Sequence, residues 1–216
     1  MNLEQTLDAR KAEFLRTAPA ERVAAYQRGV DELAANGIAQ RAVQAGETAP
    51  AFTLPDALGR PVRLADRLAR GPVVLTFYRG GWCPYCNLQL RAYQQMLPDL
   101  ARAGATLLAV SPETPDDTLS TAQKNELAFD VLSDAGGRVA DAYRLNFELS
   151  EELHALYAAG GIDLPRRNGD GRWQLPIPAT FVIGTDGKVA RAWVDVEYRN
   201  RAEPAEIAAA VALLAR

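Results

Sequence analysis

The run Val73-Val74-Leu75-Thr76-Phe77-Tyr78 is apolar almost without interruption. A strand of that kind has no solvated face, so it belongs at the centre of a sheet covered on both sides. The chain must therefore supply helical layers above and below it. From Asn87 to Ala103 the pattern turns helical, with Leu90, Tyr93, Leu97 and Leu100 on one face. Pro98 is expected to kink that helix or to join two shorter ones. Thr106-Leu107-Leu108-Ala109-Val110 reads as a second buried strand. Between the first strand and its helix lies Trp82-Cys83-Pro84-Tyr85-Cys86, which holds the only two cysteines of the chain.

Further along, residues 115–127 suggest a helix, Phe129 to Leu132 a short strand and Arg138 to Arg144 a short helix. Residues 146–175 read as an irregular insert with a helix around Glu151 to Ala158. Phe181-Val182-Ile183 and Val189 to Val194 flank Thr185-Asp186-Gly187-Lys188, a strong hairpin signal. Pro204 opens a final helix. Upstream, residues 3–36 look like two helices: Val23, Tyr26, Val30 and Leu33 form one apolar stripe, and Gly37 reads as the stop. Asp56-Ala57-Leu58-Gly59-Arg60 reads as a turn between two short extended pieces. The expectation is a three-layer α/β fold around a central mixed sheet, with residues 1–44 a helical extension and 45–216 the main domain. The extension is expected to pack on that domain; a homodimer is the other arrangement it allows.

Composition narrows the chemistry. With 216 residues, a formal charge of −3 and no basic stripe, the chain is not built to bind nucleic acid. No stretch approaches the ~20 apolar residues needed to span a bilayer. The first residues lack the basic start and apolar run of a signal peptide, so a cytoplasmic protein is expected. A structural disulfide is not expected there, and a pair three positions apart would barely constrain the unfolded chain. Tetrahedral zinc wants about four N or S ligands, while the only histidine, His154, lies far off in the insert. Reversible redox chemistry at Cys83 and Cys86 is what remains. The start of a helix favours negative charge, so a cysteine there is acidified. Arg79 and Arg91 can add positive potential, and Gly80-Gly81 lets the chain turn tightly. One thiolate can attack and its neighbour resolve the product as a disulfide across one helical turn.

From about Gly46 onward the chain resembles the peroxiredoxins of the alkyl hydroperoxide reductase C/thiol-specific antioxidant family. Gly46-Glu47-Thr48-Ala49-Pro50-Ala51-Phe52-Thr53-Leu54 matches the family's opening, Val74 to Tyr78 its central strand, and Phe181-Val182-Ile183 with Asp186-Gly187 its closing hairpin. The resemblance implies a thioredoxin-like fold and a thiol-dependent peroxidase needing no cofactor. Its substrate would be hydrogen peroxide or an alkyl hydroperoxide, and its reductant a thioredoxin-type or small thiol. Aligned from Phe77-Tyr78, Cys86 takes the peroxidatic position, Cys83 the place of the family's threonine and Arg79 that of its proline. Pro178 or its neighbour falls near the arginine that the family contributes from a later strand. Trp82-Cys83-Pro84-Tyr85-Cys86 also resembles thioredoxin and glutaredoxin motifs, and Ile177-Pro178 the thioredoxin cis-proline. That likeness implies the alternative of a disulfide reductase with Cys83 as nucleophile. A redox sensor or binding module is the third reading. Arg79, Trp82 and Pro178 are the candidate supports of the site. Arg166, Arg167 and Arg172 are candidates to cover it from the insert.

Overall fold

The computed structural model describes residues 2–214. Two helices lead, α1 (Leu3–Thr17) and α2 (Ala20–Asn36), followed by one turn, α3 (Ile38–Arg41). Asn2 and Gln5 close a capping box on α1, which satisfies N–H groups that the helix start leaves open. Gly37, at φ 69°, ends α2 in the left-handed conformation, where glycine carries no side-chain penalty. A small hairpin follows, β1 (Thr53–Pro55) and β2 (Pro61–Arg63), then α4 (Leu64–Leu68).

The apolar run forms β3 (Val73–Phe77), whose side chains are all buried. It leads into α5 (Pro84–Gln95) and α6 (Leu97–Arg102). These are two helices because Pro98 sits in the first turn of the second, where its missing N–H costs nothing. The chain continues through β4 (Thr106–Ser111), α7 (Pro115–Lys124), β5 (Asp130–Ser133) and α8 (Arg138–Ala142). Residues 146–175 are more regular than expected: β6 (Asn146–Glu148) and β7 (Gln174–Pro176) pair at the base of an excursion that carries α9 (Glu151–Ala159) and α10 (Leu164–Asn168). Strands of three residues that find each other only across the excursion show no periodicity in sequence. The chain closes with β8 (Ala179–Ile183), β9 (Val189–Val194) and α11 (Pro204–Leu214).

The main sheet runs β5-β4-β3-β8-β9. β3 is parallel to β4 and antiparallel to β8, so the sheet is mixed. Its alternating residues feed two cores. Val73, Leu75 and Phe77 pack with Leu64 of α4, Val139 of α8 and Tyr143. Val74 and Tyr78 pack with Leu90 and Tyr93 of α5, Leu100 of α6 and Ile207 of α11. Leu3 and Leu7 of α1 join this second core, which also holds both cysteines. The N-terminal helices thus pack on the same chain, beside the cysteine-bearing helix.

Candidate active site

The site lies where β3 ends and α5 begins, the end of a parallel strand at which α/β sheets collect functional groups. The helix starts at Pro84, three residues earlier than the apolar pattern indicates, with Cys83 as its N-cap. Pro84 at the first helical position is the start signal, since its fixed φ suits the helix and its missing N–H is not needed. Cys86 therefore stands in the first turn. Both thiols are free; Cys86 is fully buried and Cys83 is 1% exposed.

The loop between strand and helix is pinned from several sides. Gly80 has φ 142°, and a Cβ there would come within 2.3 Å of the Trp82 ring nitrogen, so only glycine fits. The Gly81 N–H donates to Glu113 Oε2 at 2.8 Å, and Asn87 Nδ2 donates to the Gly81 carbonyl at 2.8 Å. Asn125 holds Asn87 in turn, and Arg91 donates to Asn125 Oδ1 at 2.8 Å. Arg91 thus supports this loop through Asn125.

Arg79 and Arg201 bring positive charge to the cysteines. Arg79 is buried, donates to the Tyr157 hydroxyl, and has its guanidinium 4.2 Å from the centre of the Tyr198 ring and 5.1 Å from that of Trp82. Arg201 donates from Nη2 to Cys86 Sγ at 3.5 Å and from Nε to Gln89 Oε1 at 2.7 Å. Gln89 is buried one turn along α5 and donates to Thr76 Oγ1, which is within 3.0 Å of Thr180 Oγ1. This chain of polar groups fixes the Arg201 guanidinium against the sulfur. Burial alone would push the Cys86 thiol up. The Cys83 thiol, Arg201, Arg79 and the Arg79 backbone N–H overcome that and hold Cys86 well below the ordinary thiol range. Cys83 moves the other way: burial, its hydrogen bond to Cys86 and the neighbouring negative charge keep it protonated.

Of the remaining candidates, Trp82 packs edge-on against Tyr157 with ring centres 5.5 Å apart, closing one side of the loop. Tyr85 is buried against Tyr198. The Ile177–Pro178 bond is trans, since the described residues contain no cis peptide. Pro178 lines an apolar crevice behind Arg79 with Ile177 and Val196, and it does not line the cleft that reaches Cys83. The chain thus lacks the cis geometry of the thioredoxin-like reading: β8 begins at the next residue, and the preceding bond keeps the extended path of the strand. Arg167 reaches toward Asp117 and Glu113 at 3.3 and 3.9 Å, so it touches the site only through the carboxylate that holds Gly81. Arg166 stays local, while Arg172 pairs with Asp170 and donates to the Gly136 carbonyl at 2.6 Å. His154 stacks on Trp173 within the insert. Arg201 is absent from the sequence expectation because 115 residues separate it from Cys86; the Arg199-Asn200-Arg201 stretch outside any periodic segment is its one local mark.

A cleft of about 230 Å³ opens onto Cys83. Its walls are Arg10 and Phe14 of α1, Arg22 and Tyr26 of α2, and Arg79, Trp82 and Tyr198 around the sulfur. The N-terminal helices thus shape the approach to the cysteines.

Comparison with known proteins agrees with this architecture. Residues 45–192 match the family model described as AhpC/TSA family. A Mycobacterium tuberculosis protein named as a peroxiredoxin is 31% identical over 152 residues, spanning 70% of this chain and 85% of its own length. The chloroplastic peroxiredoxin Q of Sedum lineare is 36% identical over 131 residues, 58% of this chain and 70% of the relative. Among solved structures, the peroxidoxin BcpB of Mycobacterium tuberculosis superimposes with a TM-score of 0.63 at 24% identity, covering 80% of this chain and 98% of that one. The Xanthomonas campestris peroxiredoxin Q gives 0.60 at 21% identity, over 76% and 92% of the two chains. These structures share the thioredoxin-like fold seen here. The chain belongs to the AhpC/TSA family, among its peroxiredoxins.

Proposed function

We propose that this protein is a thiol peroxidase in which Cys86 attacks the hydroperoxide and Cys83 resolves the product. The carrying observation is the environment of Cys86: a buried sulfur 3.5 Å from the Arg201 guanidinium, beside a Cys83 whose pKa is pushed up by burial and by Cys86. Cys86 thiolate attacks the terminal oxygen of the hydroperoxide. The O–O bond breaks, the sulfur becomes a sulfenic acid, and the departing alkoxide or hydroxide takes the Cys83 proton. The Cys83 thiolate so formed attacks the Cys86 sulfur, expels hydroxide and closes the disulfide. The arginines favour the thiolate and the negative charge that develops on the peroxide oxygens. Neither step draws on a metal or an organic cofactor.

A thioredoxin-type or small-thiol donor then restores the dithiol, as suits a protein of a reducing cytoplasmic compartment. Residues 1–44 act as an appendage that narrows the approach. The reverse assignment, with Cys83 attacking a client disulfide, is favoured by one observation: Cys83, not Cys86, borders the cleft. Against it, Cys83 is the thiol held protonated, and a protonated thiol is a poor nucleophile. Peroxide consumption with excess dithiothreitol tests the proposal. Wild type is expected to turn over and Cys86→Ser to be inactive, while one equivalent of peroxide closes a Cys83–Cys86 disulfide visible by mass spectrometry. Full activity in Cys86→Ser would refute the assignment.

A further inference from the structure

Regeneration requires a donor to reach one sulfur of the oxidised pair. Cys83 forms part of the floor of the cleft, whereas Cys86 lies behind it against Gln89 and Arg201. The chemistry points to the same sulfur. When a thiolate opens a disulfide, the sulfur of lower pKa departs more readily, and here that is Cys86. Access and leaving-group preference therefore both direct attack to Cys83.

The cleft also selects by size and charge. At about 230 Å³ it sits just below the roughly 300–1,000 Å³ of small-molecule sites in general. The sulfur at its floor is 1% exposed, recessed beneath the N-terminal helices, where the blunt surface of a protein donor does not follow. Its lining includes Arg10, Arg22 and Arg79 and no acidic residue. Arg10 is neutralised by Glu13. Arg22 and Arg79 form no ion pair among the described residues, and Arg22 stands half-exposed on the wall. Uncompensated positive charge at the wall and floor of the cleft suits an organic anion.

We propose that this cleft admits a small anionic thiol, which regenerates the enzyme by attacking Cys83. The inference rests on the proposed function only in needing a Cys83–Cys86 disulfide as its starting point. The incoming thiolate bonds to Cys83 Sγ as the Cys83–Cys86 bond breaks, and the electron pair leaves on Cys86 as the arginine-held thiolate. A second thiolate attacks the sulfur of the bound donor, releasing the donor's symmetrical disulfide and Cys83 thiolate, which takes a proton. Two donor thiols are oxidised and one protein disulfide is reduced.

The full chain, oxidised with diamide, is mixed in stopped flow with glutathione, cysteamine or reduced thioredoxin, each at equal thiolate concentration. Glutathione, an anion, is expected to react faster than the cationic cysteamine by roughly fivefold at low salt, the size set by one charge at several ångströms in a partly solvated cleft. Arg22→Gln should bring that ratio toward one, and Arg22→Lys should restore it. Cys86→Ser incubated with oxidised glutathione should carry the mixed disulfide on Cys83. A ratio at or below one, a ratio untouched by Arg22→Gln, or faster reduction by thioredoxin would overturn the inference. Because diamide forms the disulfide, glutathione-dependent reduction in a protein that consumes no peroxide would reject the proposed function alone.

Discussion

Cys86 owes its lowered pKa to residues from separate parts of the chain: Arg79 in the loop after β3, Cys83 one turn back, and Arg201 after β9. Arg201→Gln removes one cation and one hydrogen bond, so the Cys86 pKa should rise, and peroxide oxidation at neutral pH should slow by roughly tenfold or more. The pH dependence of the thiolate ultraviolet absorbance checks the first effect and stopped-flow oxidation the second. Gln89→Leu leaves Arg201 Nε without its acceptor and should give a smaller change of the same sign. Glu113 supplies a separate pH signature. Burial, with Asp117 and Cys86 adding to it, pushes this carboxyl up to about 7 from 4.5, against the opposing Gly81 N–H and Arg167. The folded state therefore favours the neutral acid. Its contribution is full below pH 4.5 and is lost as pH rises through about 7. Glu113→Gln should match wild type below that window and exceed it above, by on the order of 1–3 kcal/mol. Urea unfolding on either side of the window measures the difference; a constant offset would show that Glu113 does not titrate there.

Among the elements, α1 and α5 share a core. Leu3 and Leu7 of the first helix pack with Leu90 and Tyr93 of the second and with both cysteines. Leu7 is 4% exposed, so Leu7→Ala should cost about 2–4 kcal/mol of stability. Leu15→Ala, at a position 49% exposed, should cost little. Denaturant unfolding monitored by tryptophan fluorescence compares the two. If Leu7→Ala were as mild as Leu15→Ala, the N-terminal helix would not be part of the site's foundation. The elements also divide by how far sequence reaches. Continuous apolar runs and helical stripes foretold β3, β4, β8, β9 and the paired leading helices, because burial on one or two faces leaves a periodic trace. The start of α5 was misplaced because Pro84-Tyr85-Cys86 carries no apolar period, although Pro84 itself marks the boundary. The β6–β7 pairing left no trace, since each strand draws its partner from across an excursion.

Over the whole molecule, sequence exposed the cysteine pair and the sheet position that makes it useful, yet not the second half of its surroundings. Arg201 reaches Cys86 only because β8 returns antiparallel beside β3 and β9 turns again beside β8, running parallel to β3 and delivering the following loop to the same end of the sheet. Adjacency in sequence pointed to Arg79, which does act on the thiols, and to Arg91, which serves Asn125. Pro178 was read from a local motif, while the path of its backbone is set by the strand it introduces. The mixed sheet thus assembles from distant segments a site that lowers the pKa of one cysteine and raises that of its neighbour. That asymmetry is the central claim. It is tested most directly by exposing Cys83→Ser and Cys86→Ser to one equivalent of hydrogen peroxide with dimedone present, and locating the adduct by peptide mass spectrometry. The account predicts a sulfenate adduct on Cys86 in Cys83→Ser and none on Cys83 in Cys86→Ser; an adduct on Cys83, with Cys86 unmodified, would contradict it.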